Sequence, residues 1–388
     1  MIFQNLIFNK DVWGKVYNAF KNNKIPNAYI FFGIDGIGKE AHAIEFAALL
    51  NCKRITDRGN ACGDCRSCIR IKSFQHEEIH YIHPLPVSKN KGSSKELIID
   101  SKTLEELNDF YKKKIENPYH KIELKNANTI PINAIRDIKK KLYYTKSDEN
   151  WSIVVISEAE KLCTKKAEAA NSLLKILEEP PDRTLFILLT SKINLLTSTI
   201  LSRCQKHFFS KLDKSTLEKF VLNKDFQNNV DQGVFELSHG SISDFTDILK
   251  DDRVNNLENL IEYFYSDEMN DIEKFINTMS EINTKDKKIF SKYLHHLKIS
   301  TKDLYGLSKN SSNRFLEYKF LNEKYNNIII SYPESNWEKI IDLLDECNRD
   351  LLNNVNFTLS LYSLMINIQY CLKGHWNKTI KPELIKGI

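Results

Sequence analysis

The sequence contains no run approaching the roughly 18 apolar residues that a membrane helix needs, so no membrane span is expected. It shows no self-similarity at periods of roughly 20 to 50 residues, which excludes a solenoid of stacked repeats. Met1 to Lys10 mixes Gln, Asn, Asp and Lys with a few apolar residues and lacks the basic-then-apolar layout of an export signal. Residence in the cytoplasm is the expectation. A strong charge bias is also missing: 56 basic against 51 acidic residues leave +5, less than a dedicated nucleic-acid surface usually carries. Composition alone therefore permits DNA contact without indicating it.

What is present is ordinary for a globular protein, with 41% hydrophobic and 28% charged residues. A chain of 388 residues exceeds what one core accommodates, so two or three domains are expected. Up to about residue 210, apolar runs alternate with helical patterns, the mark of a parallel sheet covered by helices. Candidate strands are Ala28 to Phe32, Ile79 to Ile82, Ser152 to Ser157 and Thr184 to Thr190, each a short run suited to burial on both faces. Residues 86–126 turn polar, with Ser88-Lys-Asn-Lys-Gly-Ser-Ser-Lys95, and read as an insertion on the sheet edge, in part mobile. After Ser210 strand signals nearly vanish, and Ser215-Thr-Leu-Glu218 has the form of a capping box opening a helix. From about Asn255 the pattern is helical throughout, including Trp337 to Arg349 and Thr358 to Leu372, with polar connections such as Asn310 to Arg314. The expected division is thus 1–210, 211–254 and 255–388.

Directly after the first candidate strand stands Gly33-Ile-Asp-Gly36-Ile-Gly38-Lys39-Glu40, followed by the helix-like Ala41 to Leu50. This is a P-loop in strand–loop–helix context: Gly33, Gly36 and Gly38 let backbone N–H groups wrap a phosphate chain, and Lys39 is placed to reach the terminal phosphates. The eighth position should carry a hydroxyl for Mg²⁺, and Glu40 instead sets a carboxylate beside the polyphosphate, so nucleotide binding is expected to be weakened or lost. A second departure lies in Val154-Val-Ile-Ser157-Glu158-Ala-Glu160. Ser157 occupies the place where a P-loop ATPase anchors Mg²⁺ with an acid, and Glu158 as a general base would have no metal-held triphosphate to act on.

Of the eight cysteines, four fall within Cys52 to Cys68. The spacing of Cys52, Cys62, Cys65 and Cys68 in a reducing compartment matches tetrahedral Zn²⁺ closed by four thiolates, in a module spanning 52–76. A closed shell leaves no position for water, so the metal would staple a loop and do no chemistry. His76, His80 and His83 offer substitute ligands that four sulfurs make unnecessary, and an iron–sulfur cluster would use the same thiolates. Arg66, Arg70 and Lys72 around the cysteines allow a zinc ribbon that touches DNA, although a solvated basic loop explains them as well. The stretch Ala167 to Glu179, halted by Pro180, reads as an amphipathic helix with Leu173, Leu174 and Leu177 inward. Arg203, in Ser202-Arg203-Cys204, is expected beyond the sheet's last strand, at the rim, where it could reach a phosphate held by a neighbouring subunit.

Taken together, these residues resemble the clamp-loader branch of the AAA+ ATPases, and within it the delta-prime subunits of bacterial DNA polymerase III. The matching text is Asn27-Ala-Tyr-Ile-Phe31, the P-loop, the four-cysteine module after its helix, Ala169-Ala-Asn-Ser-Leu-Leu-Lys-Ile-Leu-Glu-Glu-Pro-Pro181 and Ser202-Arg203-Cys204, covering about residues 1 to 210. The resemblance implies an α/β P-loop (AAA+, RecA-like) parallel sheet with an inserted zinc module, then a helical lid and an all-α C-terminal collar. It implies a non-hydrolysing subunit of a bacterial replisome machine that places a sliding clamp on primed DNA, with gamma/tau and delta subunits as partners and no membrane. Arg203 would be an arginine finger in the adjacent gamma or tau site. Active members carry a lid arginine after a Gly-Ser-x segment; here Gly240-Ser-Ile-Ser243 puts Ser243 there, a third loss. The alternative is a working gamma/tau-type ATPase in which Glu40 itself ligates the metal.

Overall fold

The computed structural model describes residues 1–86, 99–144, 150–164, 167–222, 230–250, 253–285, 287–309, 315–352 and 356–374. The polar stretch Ser88 to Lys95 and the connection Asn310 to Arg314 lie outside them. The chain divides into two compact units, residues 1–226 with 240–243, and residues 227–239 with 244–388.

In the first unit, α1 (Lys10–Lys21) precedes β1 (Ala28–Phe32), and α2 (Lys39–Leu50) and α3 (Arg66–Lys72) lead to β2 (Ile79–Ile82). Then come α4 (Ser101–Glu116), α5 (Ile132–Tyr144), β3 (Ser152–Ile156), α6 (Glu168–Glu178), β4 (Thr184–Thr190), α7 (Ser198–Leu201), β5 (Gln205–Phe208) and α8 (Lys214–Leu222). The five strands are all parallel in the order β2-β3-β4-β1-β5. Ile153 to Ile156 and Leu185 to Leu188 are fully buried, as central parallel strands covered on both faces require. The four expected strands are present, and a fifth, β5, was not expected. Its polar run Gln-Lys-His-Phe buries only His207, because it is an edge strand with one neighbour.

Helix α2 is apolar almost all round and is buried from Ala41 to Leu49, since it lies between the sheet and the N-terminal segment, where Phe3 N–H donates to Glu45 Oε1 at 2.7 Å. Helix α6 buries Leu173, Ile176 and Leu177 and stops before Pro180. The expected capping box does not open α8: Asp213 Oδ1 accepts from Thr216 N–H at 2.7 Å, so the cap comes before Ser215.

Among its described residues the second unit has helices and no strand: α9 (Gln232–Ser238), most of α10 (Ile242–Lys250), α11 (Arg253–Phe264), α12 (Met269–Lys285), α13 (Lys287–Ser308), α14 (Asn322–Ser331), α15 (Trp337–Leu352) and α16 (Phe357–Leu372). Phe264, Phe275, Leu297, Ile340, Leu361 and Met365 lie in its core. Buried Asp303 pins the chain before α14 by accepting from the N–H groups of Glu317 and Tyr318 at 3.1 and 2.9 Å. Among the described residues no helix is long and apolar enough to cross a membrane.

Candidate functional site

The carboxyl ends of β1, β4 and β3 lie side by side, and each leads into residues of one pocket: Asp35 to Glu40 after β1, Ser157 and Glu158 after β3, Thr190 and Ser191 at the end of β4. Crevices at such strand ends are where open α/β sheets bind ligands. The fourth wall was not foreseen. Lys114, Pro118, Tyr119, His120, Lys121 and Ile122, all from the 86–126 insertion, close the pocket opposite the P-loop. That polar sequence forms a 16-residue helix, α4, capped by Asp100, whose side chain accepts from Thr103 N–H at 3.4 Å.

The P-loop backbone has the expected form, with Gly36 and Gly38 at φ +74° and +90°, yet the room its glycines leave is taken by protein. A Cβ on Gly33 would lie 2.4 Å from Phe209 O, one on Gly36 2.3 Å from Ser241 Oγ, and one on Gly38 2.9 Å from the Tyr119 ring. Tyr119 is held there by Ile7 N–H, which donates to its hydroxyl at 2.7 Å. Ser243 N–H donates to Gly36 O at 3.3 Å, so the Gly240–Ser243 segment sits directly on the loop. The remaining cavity is about 80 Å³, against the roughly 300 Å³ or more usual for pockets of small organic ligands.

Lys39 Nζ donates to the carbonyls of Gly33 and Ile34 at 2.8 and 2.6 Å and lies 3.7 Å from Asp35. Burial lowers its pKa, and Asp35 only partly restores it. Asp35 is paired at 2.9 Å with Lys121. Burial would raise the Asp35 pKa, but Lys121 and then Lys39 hold it below the ordinary value. Glu158, at φ +48°, turns to Lys161 at 2.9 Å.

Glu40 is not an unpaired carboxylate. Its Oε2 lies 2.5 Å from Lys114 Nζ, and its Oε1 accepts from Ser157 Oγ at 3.2 Å. Burial acts to raise its pKa, but Lys114 and His83, together with these hydrogen bonds, bring it below the ordinary carboxylate range. The expected repulsion of a phosphate by Glu40 is therefore corrected: its charge is neutralised within the chain. Lys114, 2% exposed, directs its other hydrogens to Pro118 O at 3.2 Å and His120 O at 2.8 Å. Sequence reading missed Lys114, Tyr119 and Lys121. The carboxylate at position 40 was itself the signal, because a buried acid demands a cation.

At the other end of α2, the Sγ atoms of Cys52, Cys62, Cys65 and Cys68 all lie within 4.8 Å of one another. Tetrahedral zinc with bonds of about 2.3 Å sets sulfurs roughly 3.8 Å apart, and Cys62 and Cys68 are at 3.9 Å. Cys62 N–H and Cys65 N–H donate to the sulfurs of Cys52 and Cys62 at 3.2 and 3.3 Å. His76 is not a fifth candidate: its Nδ1 accepts from Glu78 N–H at 3.2 Å and its Nε2 meets Ser67 Oγ at 3.0 Å. Among the described residues His80 and His83 also stand outside the sulfur cluster. Arg70 is committed to Glu77 at 2.7 Å.

Arg203 lies between α7 and β5, so the expectation that it stands beyond the last strand is corrected: one further strand follows it. Its guanidinium donates to Glu178 Oε1 of α6 at 2.5 Å and to Thr199 O at 2.9 Å, with about a third of the side chain exposed.

The family model described as DNA polymerase III, delta subunit matches residues 8–213. The chain is 29% identical over 210 residues to DNA polymerase III subunit delta' of Bacillus subtilis (strain 168), covering 54% of this chain and 50% of that one. It is 26% identical over 376 residues to DNA polymerase III subunit gamma/tau of Mycoplasma genitalium, covering 94% of this chain and 52% of that one. The matches thus span about half the length of these relatives. A solved gamma subunit-related protein of DNA polymerase III from Thermotoga maritima, 16% identical, covers 92% of this chain and 99% of its own at a TM-score of 0.42, a likeness that carries no argument.

Proposed function

We propose a function on the premise that this chain belongs to the DNA polymerase III, delta subunit family: it is a clamp-loader subunit that does not hydrolyse ATP and lends Arg203 to a neighbour's ATP site. The observation that carries this reading is the Glu40–Lys114 pair. The two positions that hold Mg²⁺ in a P-loop ATPase are here tied to each other and to a lysine. The competing gamma/tau-type reading, in which Glu40 ligates the metal, requires the carboxylate that Lys114 already holds.

Arg203 suits a donor role because its guanidinium is about one-third exposed and held in orientation by Glu178 and Thr199. A guanidinium placed on a transferring phosphoryl group neutralises developing charge, an effect of roughly 10³ to 10⁵ in rate in related systems. Cys52, Cys62, Cys65 and Cys68 would hold a structural Zn²⁺ that fixes the loop after α2 and performs no chemistry. The helices after residue 210 are assigned to a lid (211–254) and a collar (255–388) that meets the other subunits. Partners in this reading are gamma/tau and delta, with the sliding clamp and primed DNA engaged within the complex.

The test is Arg203→Ala in a complex reconstituted with gamma/tau and delta. DNA-stimulated ATP hydrolysis should fall by a factor of roughly 10³, and hydrolysis equal to wild type removes the finger assignment. Turnover of ATP by the isolated chain would select the competing reading.

A further inference from the structure

Compared with a working P-loop ATPase, the pocket has exchanged two functional groups. The loop position that carries a hydroxyl carries the carboxylate of Glu40, and the strand end that carries an acid carries the hydroxyl of Ser157. The pair still offers one carboxylate and one hydroxyl, bonded to each other at 3.2 Å. Lys114 Nζ completes it, meeting three oxygens: Glu40 Oε2 at 2.5 Å, His120 O at 2.8 Å and Pro118 O at 3.2 Å.

A small cation enclosed by a carboxylate and two backbone carbonyls, with a hydroxyl on the same carboxylate, is the environment of a hard divalent metal, which takes oxygen ligands at about 2.0–2.6 Å. Other groups in electrostatic reach of Glu40 are His83, Tyr81 and Tyr111. Among the described residues, both ring nitrogens of buried His83 are without a hydrogen-bond partner, so the surroundings of Glu40 hold one further nitrogen donor.

We infer that the ammonium of Lys114 is a built-in substitute for a divalent cation, and that removing it turns the pocket into a site for one hard metal ion. The inference rests on reading this pocket as one that does not process nucleotide. It goes further in giving the insertion a role, since α4 then carries the charge that a P-loop ATPase recruits from solution.

The probe is Mn²⁺ alone, titrated at roughly 1 mM, the range of weak oxygen-ligand sites, with binding read from loss of the free-ion paramagnetic resonance signal. The full chain is used at pH 8, with no nucleotide or other subunit present. Lys114→Ala should bind one Mn²⁺ per chain above the wild-type level, and the double variant Glu40→Gln/Lys114→Ala should return to that level. Should Lys114→Ala fold only poorly, refolding with Mn²⁺ must restore it, while the double variant, free of the unpaired charge, folds without metal. The inference is overturned if Lys114→Ala takes up no more Mn²⁺ than wild type and gains no folding from it, or if the double variant binds equally well. These readouts involve neither ATP nor Arg203, so they can fail while the function proposed above survives, and the reverse.

Discussion

Helix α2 carries a site at each end, and the two retain different halves of what binding requires. At its C-terminal end the ligand atoms are intact: four sulfurs within 4.8 Å, with backbone N–H groups directed at two of them. At its N-terminal end the backbone form is intact, packed closely against Tyr119, Ser241 and Phe209, but Glu40 and Ser157 stand where a P-loop ATPase carries its Mg²⁺ ligands. The difference shows that the two kinds of site are maintained by different forces. A P-loop's shape is secured by packing with its own fold and persists without a phosphate, whereas four sulfurs gathered this closely are the ligand set a metal would need, on a loop also tied down by Arg54–Asp64 and by Thr56 and Asn60. Glycines therefore testify to backbone form, and only the side chains that would touch metal or phosphate testify to chemistry.

Breaking the four-cysteine end should have the largest effect. A four-thiolate structural zinc supplies on the order of 10 kcal/mol of apparent binding free energy. Cys68→Ser should therefore abolish stoichiometric zinc, read by metal analysis, and lower the melting temperature, and a strong chelator should do the same to wild type. Zinc content unchanged by Cys68→Ser would remove the assignment. Next comes Glu40→Thr, which restores the hydroxyl that P-loop ATPases carry. On the proposed non-hydrolysing reading this return to the ATPase residue should not revive turnover, and it should destabilise the chain by about 3 kcal/mol, because it strands a buried ammonium. Chemical denaturation measures the loss; an unchanged midpoint would mean that Lys114 does not depend on Glu40.

Much of this contrast is legible in the sequence. Strands β1, β3 and β4 announce themselves as apolar runs because they are central and covered on both faces, while the edge strand β2 is marked by Ile79 and Ile82 at its ends, and the cysteine spacing points to a metal site without a fold. β5 is silent because its polar run Gln-Lys-His-Phe turns only His207 inward, without the buried apolar residues that mark the other edge strand, β2. The insertion is silent for another reason. Its contribution depends on single polar residues, Lys114 and Lys121, whose partners Glu40 and Asp35 lie far back in the chain. Hydrophobic periodicity finds elements and cannot find such pairs. A charge placed where a fold must bury it is the remaining clue.

Between the two ends stands Glu45, buried in the middle of α2, and it should make stability depend on pH. Burial pushes its pKa up to about 7, against smaller lowering effects led by the Phe3 N–H. A folded-state pKa above the unfolded value of about 4.5 means that this contribution is complete below pH ~4.5 and is lost as pH rises through ~7, by up to about 3 kcal/mol. Glu45→Gln should flatten that slope in denaturation measured between pH 5 and 8. Glu40 acts in the opposite sense: its lowered pKa gives a contribution present at neutral pH and lost on acidification below the ordinary carboxylate range.

The smallest expected effect is also the sharpest test of the N-terminal end. In a working P-loop the lysine is indispensable, since it bridges the terminal phosphates. Here Lys39 bonds two carbonyls of its own loop, and its neighbour Asp35 has a second partner, Lys121, at 2.9 Å. Lys39→Ala should thus cost about 1 kcal/mol, the net worth of ordinary hydrogen bonds, and should leave clamp loading by the reconstituted complex at the wild-type rate. A loading defect of tenfold or more with the fold intact would mean that this loop still handles phosphate, and the distinction between the two ends of α2 would fail at the residue where it is simplest to measure.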